Sequence, residues 1–281
     1  MKTILVLGSA GQVGSHLSKY LSLKGYEVLE YDIENSPAQD LRQSQIREFQ
    51  SLVYRSDFIY FLAFDVGGSQ YLEKYQNTFD FIDNNMRILT NTIDVIRKFD
   101  KPFLFASSQM SNMGQSTYGL LKMIGERYTS SIKGRTVKFW NVYGHEKDER
   151  KFHVISDFIK MARENGVIKM KTNGMETRDF LYADDCCAGL EAIMLNFDQF
   201  QRDEELHLAN FKWNTILEVA EVVADYFNAE IISGTALDNL QQGIKNEPNR
   251  KLLDYWKPVT SLHDGIKKII QLEDSSLKTQ L

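Results

Sequence analysis

An α/β fold with a doubly wound parallel sheet and a smaller, mostly helical C-terminal lobe is predicted by three features of the 281-residue chain. Short apolar runs alternate with amphipathic runs of helical period through the first half. A glycine-rich turn separates the first two of them, and the texture changes after Gly144. Strands alternating with helices pair in parallel through right-handed crossovers, which places helices on both faces of one sheet.

The elements follow in order. Thr3–Leu7 is a short apolar strand, 13–23 a helix ending at Gly25, and Glu27–Tyr31 a second strand. Helix is expected over 43–52 and a clearly apolar third strand over 57–63. A long amphipathic helix spans 80–97, Pro102 follows, and 103–106 is the next strand. Residues 118–131 read as helix and 136–141 as strand. Beyond Gly144, charge concentrates in 146–151, a helix covers 154–164, and short irregular pieces follow. Helices at 185–195 and 215–227 flank a strand at 205–209; 238–255 is polar and 262–271 is a last helix. Residues 1–144, joined by about 180–210, are thus expected to form the doubly wound domain, of Rossmann type, and 145–179 with 211–281 the smaller lobe.

The bulk numbers exclude several classes. A composition 43% hydrophobic and 25% charged is that of an ordinary soluble domain. A net charge of -5 gives no reason to expect nucleic acid or an anionic membrane as partner. The apolar run from Ile4 to Leu7 is too short for a signal peptide and no stretch approaches a membrane span, so a cytoplasmic protein is expected. The two cysteines, Cys186 and Cys187, are adjacent, which suits burial at the start of a helix better than a disulfide or a metal site. No histidine spacing suggests a metal, and none is expected.

Three groups of residues carry chemistry. Gly8-Ser9-Ala10-Gly11-Gln12-Val13-Gly14 lies between the first strand and first helix. Glycines there permit a tight turn, close approach of backbone to a pyrophosphate, and binding of phosphate at the helix N-terminus. Asp32 ends the second strand, 18 residues after Gly14, where a carboxylate accepts bonds from ribose hydroxyls and repels a 2′-phosphate. These favour NAD, while Arg42 within reach of the same pocket leaves NADP open. The third group is Tyr118 and Lys122, one helical turn apart on one face, ten residues after Ser108. An ammonium beside a phenol is expected to lower its pKa from about 10 towards neutrality, so that phenol, lysine and serine together move a proton on or off an alcohol.

With these motifs in place, the chain resembles the extended short-chain dehydrogenase/reductase family of nucleotide-sugar epimerases, dehydratases and reductases. The resemblance adds Asp40-Leu41, Leu62-Ala63, Asn84-Asn85, Ser107-Ser108, Asn141-Val-Tyr-Gly144 and Gly174-x-x-x-Arg178-Asp179-Phe180-x-Tyr182-x-x-Asp185. It implies that Ser108 holds the reacting sugar oxygen, Tyr118 is the acid/base, and Lys122 binds the nicotinamide ribose. It implies that Asp40 and Leu41 flank adenine, and that Leu62, Ala63 and Ser107 line the cofactor. Asn141 and Arg178 would face a nucleotide diphosphate, with Asn85 and His153 also on the substrate side. Family members often pair the two helices at 80–97 and 118–131 across a two-fold axis, and both are apolar on more than one face here, so a homodimer is expected.

Departures from the family narrow the activity. The dehydratases carry an Asp-Glu pair after the catalytic serine or threonine, where this chain has Gln109-Met110. The cysteine of the GDP-mannose epimerases and GDP-fucose synthases is absent, yet 63–68 resembles their loop and 153–155 the stretch with the synthase's acid histidine. His153 is equally readable as a plain polar residue of the lobe. The Ser108–Tyr118 gap is shorter than usual, which shortens the loop over the sugar. The leading expectation is an NAD-dependent epimerase working by transient oxidation at sugar C4. A 4-keto-sugar reductase using NAD(P)H is the alternative, and a catalytically quiet dinucleotide-binding protein the third.

Overall fold

The computed structural model describes residues 1–44, 46–237 and 246–279. Six strands form one parallel sheet: β1 (Thr3–Leu7), β2 (Glu27–Tyr31), β3 (Phe58–Phe61), β4 (Phe103–Ser108), β5 (Gly134–Phe139) and, arriving late in the chain, a strand at Leu206–Leu208. Before that late strand come β6 (Asn141–Tyr143), β7 (Val167–Lys169) and β8 (Thr177–Tyr182), so it is β9; β10 (Trp213–Thr215) and β11 (Glu230–Ile232) follow. The order across the main sheet is β2-β1-β3-β4-β5-β9. Direction of travel reverses between β1 and β3, and the crevice beyond their carboxyl ends is where such sheets bind ligands.

Alternation in β1 shows why both faces are covered. Ile4 and Val6 join one buried cluster and Leu5 and Leu7 another, as a period of two requires. The first face carries α1 (Gln12–Leu23) and a later helix at Ala183–Leu195; the second carries α2 (Arg47–Arg55) and a long helix at Phe79–Lys98. With α3 (Ser69–Tyr75) between them, the long helix is α4; α5 (Thr117–Ser131) and α6 (Val154–Asn165) come next, and Ala183–Leu195 is α7. Helices α8 (Ile216–Phe227) and α9 (Leu262–Thr279) pack with α6 around the second core. Thr78 caps α4, and a reciprocal Thr215–Glu218 capping box opens α8. Cys186 and Cys187 are buried free thiols in the first cluster. No described helix is long and apolar enough to cross a membrane.

Several expectations need correction. The run expected as one strand over 136–141 breaks at Trp140: its N–H makes the last main-sheet bond, to Leu208 O of β9, while its own carbonyl accepts Val142 N–H. The chain therefore leaves the main sheet at Phe139 and enters a three-stranded sheet of order β10-β8-β6. Asn141 is the first residue of that second sheet, which brings its side chain to the cleft. Helix α2 starts four residues later than expected, at Arg47, and the helix α3 and strands β7, β8, β10 and β11 were not anticipated. In β8 both faces are buried after Arg178, so no alternation signalled a strand. Of the polar stretch 238–255, positions 238–245 lie outside the described residues.

Candidate active site

A cleft of about 1330 Å³ runs along the carboxyl ends of β1, β3, β4 and β5 and on between the main sheet and the second lobe. Gly8 opens its floor at φ +85°, in the left-handed region, and its N–H donates to Tyr31 O. A Cβ at Gly8 would stand 2.7 Å from Ala63 N, and one at Gly14 would stand 1.9 Å from Gly8 O. The turn and the first turn of α1 are thus packed backbone to backbone, with Gly11 as N-cap and no side chain capping the helix. Its first amides face the cleft region that Gly11, Gln12, Val13 and Gly14 line.

The far end of this wall holds Asp32. Its carboxylate accepts Ala10 N–H at 2.9 Å and Glu34 N–H at 3.0 Å, tying the glycine turn to the end of β2. Asp40 and Arg42 form a bidentate pair at 2.8 and 2.9 Å, and Arg42 also donates to Asn84 Oδ1. The guanidinium beside Asp40 holds that carboxyl below its usual range. Arg42 is therefore committed within the protein, which leaves Asp32 to set the charge at this end of the pocket. Leu41, Leu62 and Ala63 complete the lining. The residues fit a dinucleotide on one further observation: Gln12 Nε2, on the cleft wall, is buried with no partner among the described residues.

Ser107, Ser108, Tyr118 and Lys122 meet at the centre of the cleft. Strand β4 ends in the serines, and a short 3-10 turn at Gln109–Asn112 leads to α5, which Ser116 caps by accepting Gly119 N–H. Ser107 lines the cleft while its hydroxyl donates to Glu126, and Ser108 Oγ accepts Met110 N–H at 3.2 Å and reaches the Tyr118 phenol. Gln76 is a participant that sequence reading missed. Its buried amide oxygen accepts both Ser116 Oγ–H and Tyr118 N–H, so the end of α3 fixes the start of α5.

The expected depression of the Tyr118 pKa by Lys122 is not what the structure shows. Burial raises the phenol above its ordinary value, and only the Ser108 hydroxyl works in the opposite direction. The reason is where the ammonium goes: Lys122 Nζ donates to Ala106 O at 2.7 Å and lies 5.7 Å from the Tyr118 ring centre. Burial lowers Lys122 from the usual lysine range to about 7, against the pull of the Glu126 carboxylate.

On the substrate side, Asn141, His153 and Arg178 all line the cleft. Asn85 does not. It is fully buried, and its amide accepts Asp65 N–H and donates to Asp65 O and Phe81 O. Its role is to brace the loop after β3, and the expectation that it faces substrate is corrected accordingly. His153 caps no helix bond with its side chain but holds Glu146, Nδ1 to Oε1 at 2.7 Å. Burial opposes charge on the imidazole, yet the adjacent Glu146 carboxylate outweighs it and raises the His153 pKa. In the sequence Glu146 shows only as part of a charged run, since its meeting with His153 depends on the turn between β6 and α6. Arg178 donates to Thr177 O, while Asp179, next along β8, is buried and accepts Asn210 N–H. Burial pushes the Asp179 carboxyl up to about 6.

A sequence model described as the NAD dependent epimerase/dehydratase family matches residues 4–209. The chain belongs to that family. Among relatives by sequence, UDP-glucuronic acid decarboxylase 1 of Danio rerio is 24% identical over 315 residues, covering 99% of this chain and 74% of the relative. Among solved structures, an epimerase of Methanothermobacter thermautotrophicus superposes with a TM-score of 0.84 at 19% identity, covering 99% of this chain and 94% of the other. A UDP-galactose 4-epimerase gives 0.78 at 21% identity, with 98% and 99% covered. The fold is therefore that of the extended epimerases, NAD is the cofactor of the family, and nucleotide-sugar epimerases, dehydratases and decarboxylases bound its chemistry.

Proposed function

We propose that the protein is an NAD-dependent nucleotide-sugar epimerase that works by transient oxidation at sugar C4. One observation carries this reading: Ser108, Tyr118 and Lys122 converge in the cleft, and Gln109 and Met110 follow the serine where elimination would require two carboxyl groups. The turn from Gly8 to Gly14, with Asp32, Asp40, Leu41, Leu62, Ala63, Ser107 and Lys122, would hold the dinucleotide. Bound NAD supplies a reversible hydride acceptor. Ser108 holds the C4 oxygen, Tyr118 takes its proton as the ketone forms and returns it after the sugar has turned over, and Lys122 supplies the positive charge of the site. Asn141 and Arg178 take the diphosphate, where a guanidinium matches phosphate oxygens, and the lobe of 145–179 and 211–281 closes over the sugar.

The His153–Glu146 pair favours a second reading, a 4-keto-sugar reductase, because it sets a proton donor on the substrate wall. The two readings separate at 340 nm. Purified protein given nucleotide sugars should invert C4, read by proton NMR, with no net absorbance change and only catalytic NAD. Stoichiometric loss of absorbance with a 4-keto sugar would establish the reductase instead. Release of CO₂ from a uronic acid substrate would place the chain with its decarboxylase relative, since a 4-keto uronic acid is a β-keto acid.

A homodimer through α4 and α5 belongs to the same proposal. Leu120, Ile124 and Tyr128 recur at four-residue spacing on α5 and are exposed, beside exposed Phe79 and Ile82 on α4. Light scattering at micromolar concentration should give twice the 32.5 kDa chain mass. Ile124→Glu should give the single-chain mass; a wild-type monomer would count against the pairing.

A further inference from the structure

Lys122 is almost fully buried, yet among the described residues no carboxylate lies within ion-pair distance of its ammonium. What lies there is an aromatic face. Nζ stands 3.7 Å from the centre of the Phe64 ring, closer than to Phe105 at 5.1 Å or Tyr118 at 5.7 Å. The Phe64 ring also meets Tyr118 edge-on, with centres 6.0 Å apart. Phe64 follows Ala63 in the loop after β3 and packs against both the sheet core and the small cluster around Tyr118. It lines the cleft, so one ring touches the lysine, the tyrosine and the space between them.

The charged groups around this site are accounted for. Glu126, one turn further along α5, is engaged by Ser107 and by Lys138. The carboxylate of Asp65, next to Phe64, is engaged by Tyr71, Asn84 and Lys151. From β4, Lys122 meets the Ala106 carbonyl and, further off, the Phe105 ring, neither of them charged. A buried ammonium without a counter-ion loses its charge unless something replaces hydration, and the negative face of an aromatic ring does so.

We propose that Phe64 is a positioning residue of this centre: its ring face stands in for a counter-ion, keeps the buried Lys122 ammonium charged and fixes its place beside Tyr118. The proposal rests on the reading that Tyr118 and Lys122 act together. Of the three ammonium hydrogens, one is held by Ala106 O and the ring covers a second direction, which leaves the third for a ligand hydroxyl.

The test reads Lys122 without any substrate. In protein labelled with ¹³C at lysine Cε, the Lys122 resonance is assigned by its loss in Lys122→Met, and its titration midpoint is measured. Phe64→Leu and Phe64→Met remove the ring face and keep apolar volume; each should lower the midpoint by about 1.5 pH units, the shift a desolvated cation–π contact corresponds to. Phe64→Tyr keeps the face and should restore the midpoint to the wild-type value. The alkaline limb of any turnover should move to lower pH in the same variants, because charge on Lys122 is lost earlier. Unchanged midpoints in both apolar variants, or a Phe64→Tyr midpoint displaced as far as theirs, would overturn the proposal. Shifted midpoints in a protein that converts no nucleotide sugar would uphold Phe64's role and overturn the epimerase reading alone.

Discussion

Tyr118→Phe is expected to bind NAD as the wild type does and to lose turnover by about 10²-fold or more. The substitution removes one oxygen and leaves the ring, which contributes to the small cluster of Leu72, Phe81, Met110, Met113 and Leu121. The backbone contacts that set the start of α5, Tyr118 N–H to Gln76 and Gly119 N–H to Ser116, are untouched. Ser108 loses its phenol partner but keeps Met110 N–H. The folded state should therefore survive, and the loss should appear in kcat. Burial holds the phenol above its ordinary pKa, so in the wild type it carries its proton at neutral pH and is poised to donate to a ketone oxygen. Taking a proton from an alcohol, the first step of the proposed cycle, is helped by Ser108, the hydroxyl that works against burial on the phenol. No other described group bonded to Ser108 is a titratable acid, so nothing replaces the phenol in the variant. Steady-state rates with a dinucleotide titration on the same preparation check this. Turnover within a few fold of wild type would remove Tyr118 from the proton path and with it the proposed mechanism.

The features that were legible in the amino-acid sequence are those fixed by local geometry. A glycine turn needs only its neighbours along the chain to declare itself, and Gly8, Gly14 and Asp32 meet in space because one strand, one helix and one strand follow directly. Tyr118 and Lys122 lie on one face for the same reason. Partnerships decided by tertiary packing were not legible. Asn85 belongs to a cleft-side pair of asparagines, yet only its helical phase separates it from Asn84, and that phase turns it inward to Asp65. Spacing pairs Lys122 with Tyr118, while its ammonium lies over the Phe64 ring from the loop after β3, 58 residues earlier in the chain. Phe64 stood inside a recognised loop without a role for that reason. The break at Trp140 is likewise non-local: its N–H makes the last main-sheet bond, to Leu208 of the late strand β9, and the next residues pair with β8 instead.

Gly14→Ala should be the most damaging small substitution in the cofactor wall, and Gly11→Ala, three residues before it, should be tolerated by the fold. The two positions belong to one motif but face different neighbours. At Gly14 a methyl group would lie 1.9 Å from Gly8 O, 2.8 Å from Gly8 C and 2.9 Å from Ser9 Cα, all backbone atoms that cannot rotate aside. Helix α1 must then lift from the turn, at a cost of about 1–3 kcal/mol by analogy with overpacked cores. At Gly11 the nearest atom to such a methyl is Gly8 O at 3.3 Å, the backbone sits at φ -67°, and the residue is exposed as the helix N-cap. Alanine is a poorer N-cap than glycine, and a cost below about 1 kcal/mol is expected there. For a chain of this size each kcal/mol moves the Tm by about 2–4 °C, so thermal unfolding distinguishes the two variants before any ligand is added. Dinucleotide affinity should fall at least about tenfold in Gly14→Ala, because the first amides of α1 and the Asp32–Ala10 bond move with the lifted helix. In Gly11→Ala the Tm should stay near wild type, and any loss of affinity then measures only how closely the ligand approaches that backbone. A Gly14→Ala protein with wild-type Tm and wild-type NAD affinity would show that neither the packing of α1 on Gly8 nor the amides it positions hold the dinucleotide.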